Sequence, residues 1–175
     1  MLIKSVRGYT PVWGEDCFIA ENATLIGDVV LGDQCSIWYQ AVIRGDVHHI
    51  RIGDRVNIQD GAVIHATYKK AGTLIGNDVS IGHNAIVHGC TLHDNVLIGM
   101  GSIVMDNCII HSNSIIAAGS VVTQGTQVEE GAIYAGIPAK KIKDVESLQK
   151  DEIERIAQNY LMYSGWFKAG DTPLE

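Results

Sequence analysis

Three of the seven histidines in this chain, His65, His83 and His88, fall close together in the segment VIHATYKKAGTLIGNDVSIGHNAIVHGC. Neutral imidazoles are the commonest protein ligands for zinc and similar ions, and three of them leave a coordination position open for water or substrate. The chemistry to expect is therefore a metal ion that activates water. Any single histidine here would read as a polar corner residue, and His48, His49, His93 and His111 are read that way. The trio is different because the surrounding pattern puts two of its members in register.

That pattern is an aliphatic residue at every sixth position. It runs through Leu25, Leu31, Ile37 and Ile43, slips before Ile52, and resumes with Ile58 and Ile64. An expanded corner from Ala66 to Leu74 precedes Ile75, Ile81 and Val87, and the series then continues from Leu92 to Val128 and Tyr134. A period of six cannot build one face of a 3.6-residue helix, but it suits short strands joined by corners. The fold predicted is mainly β: a parallel β-helix over about residues 12–140, with three hexads to a coil and each coil pairing with those above and below. After Tyr134 the period stops at GIPAKKI. Val145, Leu148, Ile153, Ile156, Tyr160 and Leu161 then predict a C-terminal α-helix over about residues 144–168 that packs back along the coils. The tail after Gly170 is expected to fray, and residues 1–175 read as one domain.

Counting coils places the side chains. Ile64 and Val87 are one coil apart, so His65 and His88, which follow them, should stack one rung apart on one face and converge on a metal. His83, two places after Ile81, belongs to the preceding face and points around the corner. Within one subunit the three need not meet, but across a threefold interface His83 of one chain would complete the site of the next. By the same count Arg44 stacks beneath His65 with Asp46 to brace it, and Asp60 stacks under His83 with Gln59 beside it. Cys17 and Cys35, like Cys90 and Cys108, are one coil apart; without a CxxC spacing they read as buried thiols in small core positions.

A formal charge of −7 with scattered lysines offers no basic surface for nucleic acid, so the expected partner is a small molecule. No apolar run is long enough to span a membrane, and the opening MLIKSVRGYTPVW lacks the features of a secretory signal, which points to the cytoplasm. The tripeptide Arg44-Gly45-Asp46 matches an adhesion motif by chance.

Two segments carry a resemblance to a known family. VIRGDVHHIRIGDRVNIQDGAVIH contains Arg44, Asp46, Asn57, Gln59, Asp60 and His65, and VSIGHNAIVHGC contains His83 and His88. Together they resemble the γ-class carbonic anhydrase-like proteins of the hexapeptide-repeat group. The resemblance implies a left-handed β-helix, although the general rule for parallel crossovers favours the right hand. It also implies a homotrimer with Zn2+, or alternatively Fe2+ or Co2+, at each interface, held by His65 and His88 of one chain and His83 of the next. Gln59 would hydrogen-bond the activated water, and Arg44, Asp46 and Asp60 would form supporting ion pairs. Asn57 belongs to the same motif, and Tyr160, after Asn159 on a helix returning along the coils, could reach the site.

The chain departs from the family where active members carry proton-shuttle glutamates, since Val47 and the short segment ATYKKAG stand there instead. Reversible hydration of carbon dioxide to bicarbonate is the leading expectation, weakened by the missing shuttle. The alternatives are hydrolysis of an acyl-CoA thioester at the same kind of metal site, hexapeptide acyl transfer, which GIPAKKI resembles, and a metal that only fixes a trimer.

Overall fold

The computed structural model describes residues 1–169. The hexad aliphatics form three inward columns. Leu25, Ile43, Ile64, Val87, Val104 and Val122 stack in register along one face. Ile19, Ile37, Ile58, Ile81, Ile98, Ile116 and Tyr134 stack along the preceding face. Leu31, Ile52, Ile75, Leu92, Ile110 and Val128 make the third. Most of these side chains are wholly buried, each contributing about 1.5–3 kcal/mol by leaving water. The result is a left-handed parallel β-solenoid of about 7 turns, so the period-six reading holds. The small residues of the repeat, Ala23, Val29, Ala41, Ala62, Ala85, Ser102 and Ser114, are buried at the corners together with Cys35 and Cys108. All four cysteines are free thiols.

The slip after Ile43 has a physical form. Strand Val42–Ile52 pairs with Thr24–Leu31, but where Gly27 is followed after Asp28 by Val29, Gly45 is followed by four residues, Asp46 to His49, before Ile50. These four lift out of the pairing. Gly45 is required there, because a Cβ would lie 2.4 Å from the carbonyl oxygen of Asp28. The chain thus leaves the wall next to Arg44 and lifts Asp46 beside the histidine face.

The coils begin earlier than expected, since Leu2–Lys4 already pairs with the strand at Thr24. They end in an antiparallel pair, Ala132–Gly136 with Ala139–Asp144, formed by the GIPAKKI segment. The helix spans Ser147–Ala169 and lies against Phe18–Ile19, Ser36–Ile37 and Ser80–Ile81. Its buried residues are Ile153, Ala157 and Ser164. Leu148 was expected in this stripe but is 74% exposed. Five residues before Ile153 at 100° each leave it roughly 140° off the buried line. At the other end Lys168 reaches Asp16 at 2.9 Å and ties the helix to the first coils. The expectation of a frayed tail after Gly170 falls outside the described residues.

Candidate metal centre

His65 and His88 end strands Val63–His65 and Ile86–His88 and are paired in register, one rung apart. The backbone around them is clamped from the expanded corner: the buried hydroxyl of Thr73 donates to the His65 carbonyl at 2.6 Å and accepts from the Gly89 amide at 3.0 Å. The two ring planes meet at 61° with His65 Nδ1 and His88 Nε2 3.0 Å apart.

Each ring has a carboxylate on its other nitrogen. His65 Nε2 lies 3.1 Å from Asp46 Oδ1, and Asp46 Oδ2 accepts from Arg44 Nη1 at 2.6 Å. His88 Nδ1 lies 2.5 Å from Asp106 Oδ1, and Asp106 Oδ2 accepts from the Thr67 hydroxyl. Burial pushes the Asp46 carboxyl up, but hydrogen bonds from His65 and Arg44 outweigh it and hold the group below its ordinary value. At Asp106, burial is likewise outweighed by the bonds from Thr67 and His88. Both are therefore ionised near neutrality and act only as acceptors. Burial, with the positive charge of Arg44, keeps the His65 imidazole below its usual value although Asp46 pulls the other way, so this ring is neutral at pH 7.

The donor set has a consequence. In the tautomer in which each ring gives its N–H to its carboxylate, lone pairs are left on the two nitrogens that face each other across 3.0 Å. Two such lone pairs repel unless a proton or a metal ion lies between them. Carboxylate–imidazole pairs of this kind are how proteins orient metal-binding histidines and raise their basicity. Two ligands about 2.0–2.1 Å from one ion at a tetrahedral angle lie roughly 3.3–3.4 Å apart, so the pair fits a small divalent cation.

His83 stands apart from this pair. It sits at the corner after Ser80–Ile81, with Nδ1 2.9 Å from Asp60 Oδ2, as the coil count placed it. The position is held by Gly82, where a Cβ would lie 2.7 Å from the Met100 amide of the next coil, and by Asn84 in the left-handed region at φ 57°. Among the described residues of a single chain, no three His, Cys, Asp or Glu side chains gather into a metal-binding group. The structure thus brings Arg44, Asp46, His65, His88 and Asp106 together on one face and His83 with Asp60 on another.

Gln59 and Asn57 lie on the His83 side and are buried. Gln59 Nε2 donates to Asn57 Oδ1 at 3.0 Å, and Asn57 Nδ2 donates to the Ser80 hydroxyl at 2.7 Å. Tyr160 packs edge-on against Trp38, with centroids 5.4 Å apart. Burial, then the negative charge of Asp60, pushes its hydroxyl up to about 12. It remains protonated near neutrality and is poorly matched to proton relay there.

Asp106, Thr67 and Thr73 were missed by the sequence reading. For Asp106 the coil count gave no direct signal, because Val87 pairs with Val104 and the same register sets Met105, one residue before Asp106, above His88. Thr67 belongs to the expanded corner, where the hexad count carries no register, whereas Thr73 occupies the small-residue slot two places before Ile75 and pairs with Ile50.

Comparison with known proteins agrees with this architecture. The family model described as bacterial transferase hexapeptide (six repeats) matches residues 14–45, 72–102 and 89–124. A protein named probable carbonic anhydrase from Methanocaldococcus jannaschii is 48% identical over 83% of this chain and 89% of its own length. The mitochondrial gamma carbonic anhydrase 2 of Arabidopsis thaliana is 38% identical over 91% of this chain and 59% of its own length. Among solved structures, a hexapeptide transferase family protein from Anaplasma phagocytophilum superposes with a TM-score of 0.90 at 41% identity, covering 94% of this chain and 96% of that one.

Proposed function

Since the chain belongs to the hexapeptide-repeat family, in the branch that includes the γ-class carbonic anhydrases, we propose that it is a metal-dependent carbonic anhydrase-like lyase acting on carbon dioxide and bicarbonate. The observation that carries this reading is the His65–His88 pair, with ring nitrogens 3.0 Å apart and each ring backed by a carboxylate on its other nitrogen. His65 and His88 of one subunit and His83 of a neighbour in a homotrimer would hold the ion, with Zn2+ the first candidate and Fe2+ or Co2+ the others. Such an ion lowers the pKa of a water to about 7 and so supplies a nucleophile at neutral pH.

The chain's own residues do the rest. Asp46 and Asp106 fix the ring tautomers and increase ligand basicity, Asp60 does the same for His83, and Arg44 holds Asp46 in place. Gln59, supported by Asn57 and Ser80, would supply a neutral hydrogen-bonding group at the shared site. Repeated turnover needs a proton acceptor. Val47 supplies none, and Tyr160 keeps its proton.

The test is metal-replete protein in a carbon dioxide hydration assay with increasing imidazole. Slow hydration that rises with buffer is expected; no turnover with a full complement of metal would refute the carbon dioxide reading. One observation favours a second substrate at the same centre. His88 and Asp106 border a cleft of about 300 Å3 whose other walls include Ile86, Ile103, Val104 and Met105, and an apolar acyl group of a thioester would occupy such walls. A panel of acyl-CoA thioesters tests that reading. Acyl transfer without metal is separated by metal analysis, because it predicts no loss of activity with a chelator.

A further inference from the structure

A recess of about 220 Å3 lies between the C-terminal helix and the coil wall, lined by Trp38, Asp60, Tyr160, Tyr163, Trp166 and Phe167. Five aromatic rings and one carboxylate make up its whole lining. We propose that it binds a small organic cation of the quaternary ammonium class, with the rings as walls and Asp60 as counter-charge.

The rings meet at 81° for Trp38 with Tyr160, 87° for Trp38 with Phe167, 69° for Tyr160 with Tyr163 and 43° for Tyr163 with Trp166, so none of these pairs stacks in parallel. Walls set this way surround a volume, whereas parallel stacking would close it. The face of an aromatic ring is the negative part of its quadrupole, and a cation held against several faces is attracted by each. Trp166 and Phe167 pack on neighbouring rings yet remain 42% and 50% exposed at the helix end, so the recess opens to solvent on that side.

The charges in and around the recess favour a cation. Asp60 gives Oδ2 to His83, while its Oδ1 has no hydrogen-bond or ion-pair partner among the described residues. No lysine or arginine lines the recess, and Lys168, the nearest in sequence, is turned to Asp16. An anion would meet the Asp60 carboxylate. A primary ammonium would give up strong hydration for rings that offer no lone pairs, whereas a quaternary ammonium has no N–H to satisfy. The site shares Asp60 with the His83 corner but needs no metal, so it goes beyond the proposed carbonic anhydrase-like function and can fail or succeed separately from it.

Calorimetric titration of the full chain with choline and tetramethylammonium chloride, against sodium chloride at equal ionic strength, tests the proposal. Saturable binding of both cations is expected, with 3,3-dimethylbutan-1-ol, the neutral isostere of choline, at least tenfold weaker. Trp166→Leu and Phe167→Leu, checked for retained fold by circular dichroism, should each weaken cation binding about tenfold. Asp60→Asn should weaken it without improving the neutral isostere. Equal binding of cation and isostere would reduce the recess to an apolar pocket. Absence of saturable binding, or unchanged affinity in both ring variants, would overturn the site outright. Metal content measured on the same samples keeps this outcome separate from that of the metal centre.

Discussion

Replacing Asp106 isolates the carboxylate's part in presenting His88. The bond from His88 Nδ1 to Asp106 is 2.5 Å long and ends on an ionised oxygen. A hydrogen bond to a charged group contributes about 1.5–3 kcal/mol net, and a neutral one about 0.5–1.5. Asp106→Asn keeps an acceptor but loses the charge, a difference of about 1–1.5 kcal/mol, or roughly tenfold in metal affinity. Asp106→Ala also frees the ring to rotate and should approach the hundredfold end of the range for such supporting residues. Affinity is read by competition with a chromogenic chelator. Long-range 15N NMR of the metal-free protein supplies a second readout, because wild-type His88 should carry its proton on Nδ1, whereas Asp106→Ala should show both tautomers. Wild-type metal affinity in both variants, or an unchanged Nδ1–H signature in Asp106→Ala, would refute the reasoning.

Homotrimers of His83→Ala and of His88→Ala should each lack complete sites, but unfolding, mixing equally and reassembling them should restore roughly a quarter of the sites, one of four ordered pairings in a cyclic trimer; no restoration despite proven subunit exchange would exclude a shared site. Ile64→Ala, at a wholly buried position between Ile43 and Val87, should cost about 2–5 kcal/mol in denaturant unfolding, while Ile142→Ala, 60% exposed, should stay within about 0.5 kcal/mol. Stability of the metal-free protein should fall as pH drops below 6.5: the folded state holds His65 below that value, so the unfolded chain binds the proton first and the folded state loses ground until its own pKa is passed. Urea midpoints across this window should show a smaller fall in His65→Asn, and an equal fall would remove His65 as a contributor.

Much of this molecule is legible in one dimension because a solenoid converts sequence separation into position. Each hexad advances the chain by one face, so Ile64 and Val87 stack, His65 and His88 follow, Asp46 arrives beside Arg44, and Asp60 arrives under His83 without any knowledge of distant contacts. The period does not set the hand of the coil, which came from family resemblance and is shown by the fold. Asp106 lies one residue past the rung of His88, where the register sets Met105, so the count alone did not bring it to the site.

What the period could not place lies where register breaks or where an element returns from a distance. Thr67 sits in the expanded corner, and its bond to Asp106 depends on how that loop folds back. The helix is connected to the coils through a hairpin, so its rotation is settled by packing. That rotation buries Ile153 and exposes Leu148, and gathers Tyr160, Tyr163, Trp166 and Phe167 around Trp38 and Asp60. Local spacing determined which residues share a rung, whereas only tertiary packing decided which rungs the helix covers.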